Sequence, residues 1–170
     1  MASGPRAGFD DFVRTRSTGL LRIAYLLTGD RHAAEDLLQE VLEQMYVRWR
    51  RIEGMPEAYA RRALVNRSVN RWRRRALRAE ISIEGHLEAR VERDHGDDVV
   101  VREAVLVALR DLPPRQRAAV VLRYLADLPV HEVSAALGCA EGTVRSNAAR
   151  GLDRLREVLG SAVVPDGGER

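Results

Sequence analysis

Apolar residues recur along most of this chain at intervals of three and four, the spacing of one buried helix face. Phe9, Phe12, Val13, Leu20, Ala24 and Leu27 form the first such stripe. Gly29 can end that helix and Asp30 can cap the next. Ala34, Leu37, Leu38, Val41, Leu42, Met45 and Trp49 form a second stripe between His32 and Trp49. Gly54, Met55 and Pro56 interrupt it, and Pro56 suits the first turn of a third helix running to about Leu77. From Glu80 to Asp98 the rhythm lapses, acids outnumber bases, and Gly85 and Gly96 appear, which predicts a linker with little fixed structure. Helical patterning returns from Val99 to Leu112, breaks at Pro113 and Pro114, and resumes from about Arg115 to Leu125. No internal repeat and no strand pattern stands out. The prediction is an all-α chain of two small helical domains, residues 5–78 and 99–160. An acidic connector over 79–98 joins them, and a frayed tail follows over 161–170.

The last helical pair has its own signature. Pro129 opens a short helix with Val130, Val133, Ala136 and Leu137 inward, and Gly138 and Cys139 make a tight turn. The following helix has Val144, Ala148, Leu152 and Leu155 on one side. Gly142, Arg145, Ser146, Ala149 and Arg150 lie on the other. That outer face is small and basic, as entry into a DNA major groove requires. The same pattern would also suit two packed helices with a solvated arginine face. Ala140 stands where a capping serine is usual, so the second helix starts with a weak cap.

Charge sharpens the picture. All 28 basic residues are arginine, against 25 acids. Arginine stays ionised and can hold a phosphate through two donors at once. From Ala58 to Ala79 there is no acid and there are eight arginines: Arg61, Arg62, Arg67, Arg71, Arg73, Arg74, Arg75 and Arg78. Such crowding is unfavourable on a helix unless a polyanion offsets it. Interleaved Tyr59, Asn66, Asn70 and Trp72 suit unpaired bases, which expose stacking faces and polar edges. Trp72 by itself is expected in the core. The second helix carries Asp30, Glu35, Asp36, Gln39, Glu40 and Glu43. This reads either as an ordinary solvated face or as a ridge for a basic protein surface.

Other chemistries find no support. The four histidines, His32, His86, His95 and His131, are scattered without metal-ligand spacing, and the one cysteine, Cys139, excludes a disulfide framework. There is no phosphate-cradling glycine loop and no nucleophile motif. Asp10–Asp11 and Asp97–Asp98 read as solvated charge. No cofactor, metal or enzymatic role is expected. No apolar run is long enough for a membrane span and no secretory signal is visible, so the expectation is a cytoplasmic protein.

As a set these residues resemble the extracytoplasmic-function group of bacterial RNA polymerase sigma factors, in the sigma-70 superfamily. The likeness spans about Phe9 to Leu159 and is greatest to actinobacterial members of the sigma-E kind. Three segments carry it: AEDLLQE at 34–40, PEAYARRALVNRSVNRWRRR at 56–75, and Leu109–Arg156, from LRDLPPRQRAAVVLRYL through GTVRS to GLDRLR. The resemblance implies that the first domain is sigma region 2, a three- to four-helix bundle. The second is then region 4, with its helix-turn-helix. It implies that Asp36, Gln39 and Glu40 meet the clamp helices of the polymerase β′ subunit, and that region 4 meets the β flap. Tyr59, Arg62, Asn66, Asn70, Arg73 and Arg74 would contact the −10 element, and Thr143, Arg145, Ser146 and Arg150 the −35 element. The acidic linker would thread the RNA exit path. An anti-sigma protein is a further partner that the family suggests. The chain departs from the family at Tyr59 (usually tryptophan), Asn70 (often aspartate), Ala140 (usually serine) and Asn147 (often arginine). The alternative is a stand-alone helix-turn-helix regulator, which would need a dimerisation surface and leaves the acidic helix without a role. A nucleic-acid enzyme would need clustered acids or a phosphate loop.

Overall fold

A computed structural model describes residues 5–81 and 97–163, all built from helices and their connecting turns. Helix α1 is Pro5–Thr28 and α2 is Arg31–Arg48, followed by a 3₁₀ turn, Trp49–Arg51. Helix α3 is Pro56–Ile81, α4 Asp97–Arg110, α5 Pro114–Val120, α6 Val130–Leu137 and α7 Glu141–Val163. The edges of the expected linker, 79–81 and 97–98, are therefore helical, and residues 161–163 continue α7 rather than starting the tail. The rest of both segments, 82–96 and 164–170, lies outside the described residues.

Local chemistry sets the boundaries. Gly29 takes a left-handed conformation, φ 69°, and its N–H donates to the Tyr25 carbonyl, ending α1. Asp30 then accepts from the Ala33 N–H at 2.7 Å and starts α2. The sequence suggests one ordinary helix over 115–125. The structure instead starts it at Pro114 and widens it into a π turn over Val121–Leu125. The Ala126 N–H reaches back five residues to the Val121 carbonyl, at 2.8 Å, and Asp127 follows with φ 51°.

The predicted apolar stripes are the cores. Leu20, Ala24 and Leu27 of α1 pack with Leu37, Val41 and Met45 of α2 and with Leu64 and Val65 of α3. Trp49 closes one end, edge-on to Phe9 at 5.3 Å and tilted against Phe12 at 5.4 Å. In the second half Leu109, Leu122, Val133, Val144 and Ala148 are buried. The two halves also touch: α5 and α6 pack on α3, and α4 and α5 on α1.

Polar contacts fix the α2–α3 pairing. Glu40 accepts from Arg67 Nη1 at 2.9 Å and from Arg71 Nη2 at 2.5 Å. Arg67 Nη2 also donates to Gln44 Oε1 at 2.8 Å, and Gln44 Nε2 donates to the Tyr59 hydroxyl at 2.9 Å. Desolvation at Glu40 favours the neutral acid. The hydrogen bonds and charges of Arg71 and Arg67 together outweigh it and hold the carboxyl below its ordinary range.

Two outcomes follow from this packing. A methyl at Gly151 would lie 2.6 Å from Val120 Cγ2 and 3.3 Å from the Gln116 carbonyl oxygen. Overpacking costs about 1–3 kcal/mol, against about 1 kcal/mol gained in helix propensity. Gly151→Ala should therefore lower the melting temperature despite the better helix former, as thermal circular dichroism will read. Glu40→Gln should reduce stability at neutral pH by up to about 1 kcal/mol, the pair being half-exposed and screened. A carboxylate with a lowered native pKa stabilises above its unfolded pKa, and that contribution fades as pH falls through the native value. Denaturant midpoints of wild type and variant should differ at about pH 7 and converge near about pH 3.

Candidate nucleic-acid and polymerase interfaces

The recognition face is built from α6, a tight turn and α7. Gly138 is left-handed, φ 61°, and Cys139 N–H donates to the Ser134 carbonyl at 3.2 Å. Ser134 Oγ returns a bond to the Cys139 carbonyl at 2.6 Å, so the turn is tied at both ends. Burial of Val133, Ala136, Val144 and Ala148 fixes the rotation of both helices and leaves Thr143, Arg145, Ser146, Ala149 and Arg150 exposed. Arg145 pairs with Glu141 one turn earlier, at 2.9 Å, and Ser146 Oγ donates to the Thr143 carbonyl at 3.1 Å. Both contacts are local and exposed, so a nucleic acid can replace them at little cost. Arg145 and Arg156 of α7 line one groove with Arg123 and Tyr124. The π turn carries Arg123 and Tyr124, and the Arg123 guanidinium lies 5.7 Å from the Tyr124 ring centre. Arg123 and Tyr124 were missed in the sequence because they lie on a different helical piece from Arg145 and share no spacing with it.

Helix α3 divides its arginines by direction. Arg67 and Arg71 turn toward α2 and its Glu40. Arg61 donates to Glu57 at 2.5 Å and lies 3.9 Å from Glu132 of α6. On the open side, Arg62, Asn66, Asn70, Arg73 and Arg74 are all exposed. Their spacing of about four residues makes them one stripe along the helix. Tyr59 is brought to the edge of that stripe but half-buried, with its hydroxyl held by Gln44. Its ring is thus part of the α2–α3 seam. Trp72, expected in the core, is 47% exposed and lines a small crevice with Arg71, Arg75, Pro114 and Arg117. Trp72 lies seven residues after Val65, on nearly the same side of α3, but two turns further along, where it borders that crevice and not the packed core.

The acidic ridge on α2 is brought together only in part. Asp36 and Gln39 are exposed, Gln39 donating to Glu43 at 3.2 Å. Glu40 is half-buried and committed to two arginines. Glu40 therefore organises the seam between the ridge and the arginine helix. The signal for this was present in outline: Glu40 and Gln44 are one turn apart, as are Arg67 and Arg71. Among the described residues no group of three or more His, Cys, Asp or Glu could hold a metal ion, and no helix is long and apolar enough to cross a membrane.

Known proteins share this arrangement. Residues 12–78 match the family model for sigma-70 region 2, and residues 102–155 match that for sigma-70 region 4. The chain is 40% identical over 161 residues to an RNA polymerase sigma-E factor of Streptomyces antibioticus, covering 94% of this chain and 88% of that protein. It is 34% identical over 168 residues to the ECF RNA polymerase sigma factor SigE of Mycolicibacterium smegmatis, covering 93% of this chain and 65% of the relative. In fold it is similar to the sigma factor RpoE of Bartonella quintana, solved with the anti-sigma factor NepR. That match has a TM-score of 0.78 at 24% identity, over 90% of this chain and 97% of the other. Likeness along nearly the whole length to sigma factors disfavours a stand-alone regulator. The chain belongs to the extracytoplasmic-function group of the sigma-70 family, and it is a sigma factor that directs RNA polymerase to promoters.

Proposed function

We propose a division of labour among three surfaces of this sigma factor. The α2 ridge, through Asp36 and Gln39 with Glu40 behind them, docks on the β′ clamp helices of core polymerase. The α3 stripe of Arg62, Asn66, Asn70, Arg73 and Arg74, with Tyr59 at its edge, captures unpaired bases of the −10 element. Thr143, Arg145, Ser146 and Arg150 of α7 read the −35 duplex while region 4 rests on the β flap. The observation that carries this reading is the sorting of charge on α3: Arg61, Arg67 and Arg71 turn to carboxylates within the protein, while Arg62, Asn66, Asn70, Arg73 and Arg74 are exposed.

The physics supports different roles for the two basic faces. Amide side chains offer both donors and acceptors to base edges, and arginine planes can stack on bases. A stripe of this kind gains contacts only once bases leave the duplex, so binding favours the open strand. The α7 face is small, with Gly142 before its arginines and Ser146 and Ala149 between them, and suits a major groove. Each surface is small. Anchoring both to polymerase raises their effective concentration at the promoter, so neither needs high affinity by itself. The protein does no bond chemistry. It works in the cytoplasm, with polymerase and DNA. An anti-sigma protein is a further proposed partner, because the sigma factor RpoE, which shares the fold, was solved with the anti-sigma factor NepR, and CnrH, also of this fold, with the cytosolic domain of CnrY.

Asp36→Arg with Gln39→Arg should abolish co-purification with core polymerase while circular dichroism stays unchanged, since neither side chain is buried. Retained co-purification would place the polymerase contact elsewhere. Arg145→Ala should weaken binding of polymerase holoenzyme to a −35 duplex by about 1–3 kcal/mol if Arg145 meets a base edge, and the loss should depend on sequence. A uniform loss across sequences, with a salt dependence shallower by about one ion, would mark a phosphate contact.

A further inference from the structure

The inward side of α3 changes character along its length. In the first half it is apolar, with Ala60, Leu64 and Val65 buried. Further along, that side presents Ser68, Arg71, Trp72 and Arg75, which line a crevice closed by Pro114 and Arg117 of α5. At about 100° per residue these four positions lie roughly opposite Arg62, Asn66, Asn70 and Arg73, the stripe proposed to meet the −10 strand. The crevice is therefore a second basic surface of the same helix, and neither the polymerase contact nor strand capture uses Trp72 or Arg75.

Three guanidinium groups and no carboxylate line the crevice. Arg71 is partly neutralised, with Nη2 on Glu40 at 2.5 Å and Nη1 on the Ala33 carbonyl at 3.3 Å. Arg117 donates only to neutral carbonyls, those of Leu27 at 2.8 Å, Arg110 at 2.6 Å and Leu112 at 3.2 Å. Its Nε is buried without a hydrogen-bond partner. Burial, and then the charge of Arg110, lower its pKa against the opposing charge of Asp111. Arg75 is exposed, and among the described residues no carboxylate pairs with it. Positive charge gathered in this way is unfavourable, and a bound anion offsets it.

Size and the indole narrow the choice of anion. The crevice holds about 40 Å³. That is room for about three waters, or the bulk of a single phosphate group, and too little for a ring system. Its rim is the Trp72 indole, 47% exposed. An exposed indole can stack a nucleobase, whichever base it is. A guanidinium can give a phosphate two donors at once. A molecule with phosphates at one end and a base at the other uses both parts, the phosphate inside and the base on the rim. Inorganic phosphate uses only the first.

We propose that this crevice binds a nucleoside polyphosphate, with the base stacked on Trp72 and the phosphates held by Arg75, Arg117 and Arg71. The ligand bridges α3 and α5, and through Arg71 it touches the ion pair that Glu40 makes behind the α2 ridge. The site gives this sigma factor a means of sensing a small nucleotide, apart from its promoter surfaces. Binding there needs neither polymerase nor DNA, so it stands or falls independently of the three surfaces proposed above.

Equilibrium dialysis of the full chain with labelled GTP and, separately, ATP tests this at about 0.15 M salt, where diffuse attraction is screened. Both should bind at a single saturable site, since an indole stacks either purine, and both should raise the melting temperature. Trp72→Ala and Arg75→Glu should each weaken binding about tenfold or more. Circular dichroism should stay unchanged, because neither side chain belongs to the buried core. Arg62→Ala with Arg73→Ala and Arg74→Ala, on the opposite side of α3, should leave nucleotide affinity within about twofold. Tripolyphosphate should compete about tenfold more weakly than GTP, and a single-stranded oligodeoxynucleotide without a terminal phosphate should not displace it. The chain has two tryptophans, so in a Trp49→Phe protein the only indole is Trp72, and GTP should quench its fluorescence. Absence of saturable binding, binding lost with Arg73 and Arg74 but kept without Trp72, equal competition by tripolyphosphate, or displacement by the oligonucleotide would each overturn the proposal.

Discussion

Helix α3 carries eight arginines between Arg61 and Arg78 and no acid between Ala58 and Ala79, and everything else in the molecule adjusts to that imbalance. Like charges one turn apart repel, so the helix is viable only if its charges find anions. The fold supplies anions to one part of the set. Glu40 takes Arg67 and Arg71, and Glu57 and Glu132 take Arg61. The exposed remainder, with Asn66 and Asn70 among them, offers its charge outward. Promoter DNA is the polyanion proposed to meet it.

The same imbalance links the acidic ridge to the arginine helix. Glu40 lies on the helix proposed to meet polymerase and bonds the helix proposed to meet the melted strand. A partner pressing on α2 therefore acts on the side chains that set the rotation of α3. Gln44, bonded to both Arg67 and Tyr59, extends this connection toward the edge of the exposed stripe. Protein docking and strand capture share one seam, so the two surfaces are rigidly related within region 2. Between region 2 and region 4 the relation is different. There helices α4, α5 and α6 pack on α1 and α3, Arg117 ends on backbone carbonyls and Arg61 faces Glu132.

Much of the fold was legible because a helix that buries one face must repeat its apolar residues at that interval. Leu37, Val41 and Met45, or Val144 and Ala148, could be read as core before any contact was known, and they are buried. Capping at Asp30 and the turn at Gly138 were legible for the same local reason. The exposed face of α7 followed directly from its buried face. Residue direction on α3 was harder. Trp72 shares a side of the helix with Val65, yet two turns further along it borders a crevice beside Pro114 and Arg117 and stays half-exposed. Tyr59 looks like a stacking residue, yet Gln44 holds it in the seam. Glu40 looks like one more member of an acidic ridge, and only its two partners from α3 reveal its structural part.

By itself, the sequence determined the helices, their inward faces, the two basic surfaces and the family, because these depend on spacing and residue type along a continuous chain. Only the tertiary structure decided which arginines are satisfied and which are offered, and that region 4 lies against region 2 through Arg117 and the end of α1. Those outcomes depend on pairs such as Glu40 with Arg71, or Leu27 with Arg117, that are far apart in sequence. Long side chains reach such partners only after the backbone has placed them, and no local pattern records where that will be.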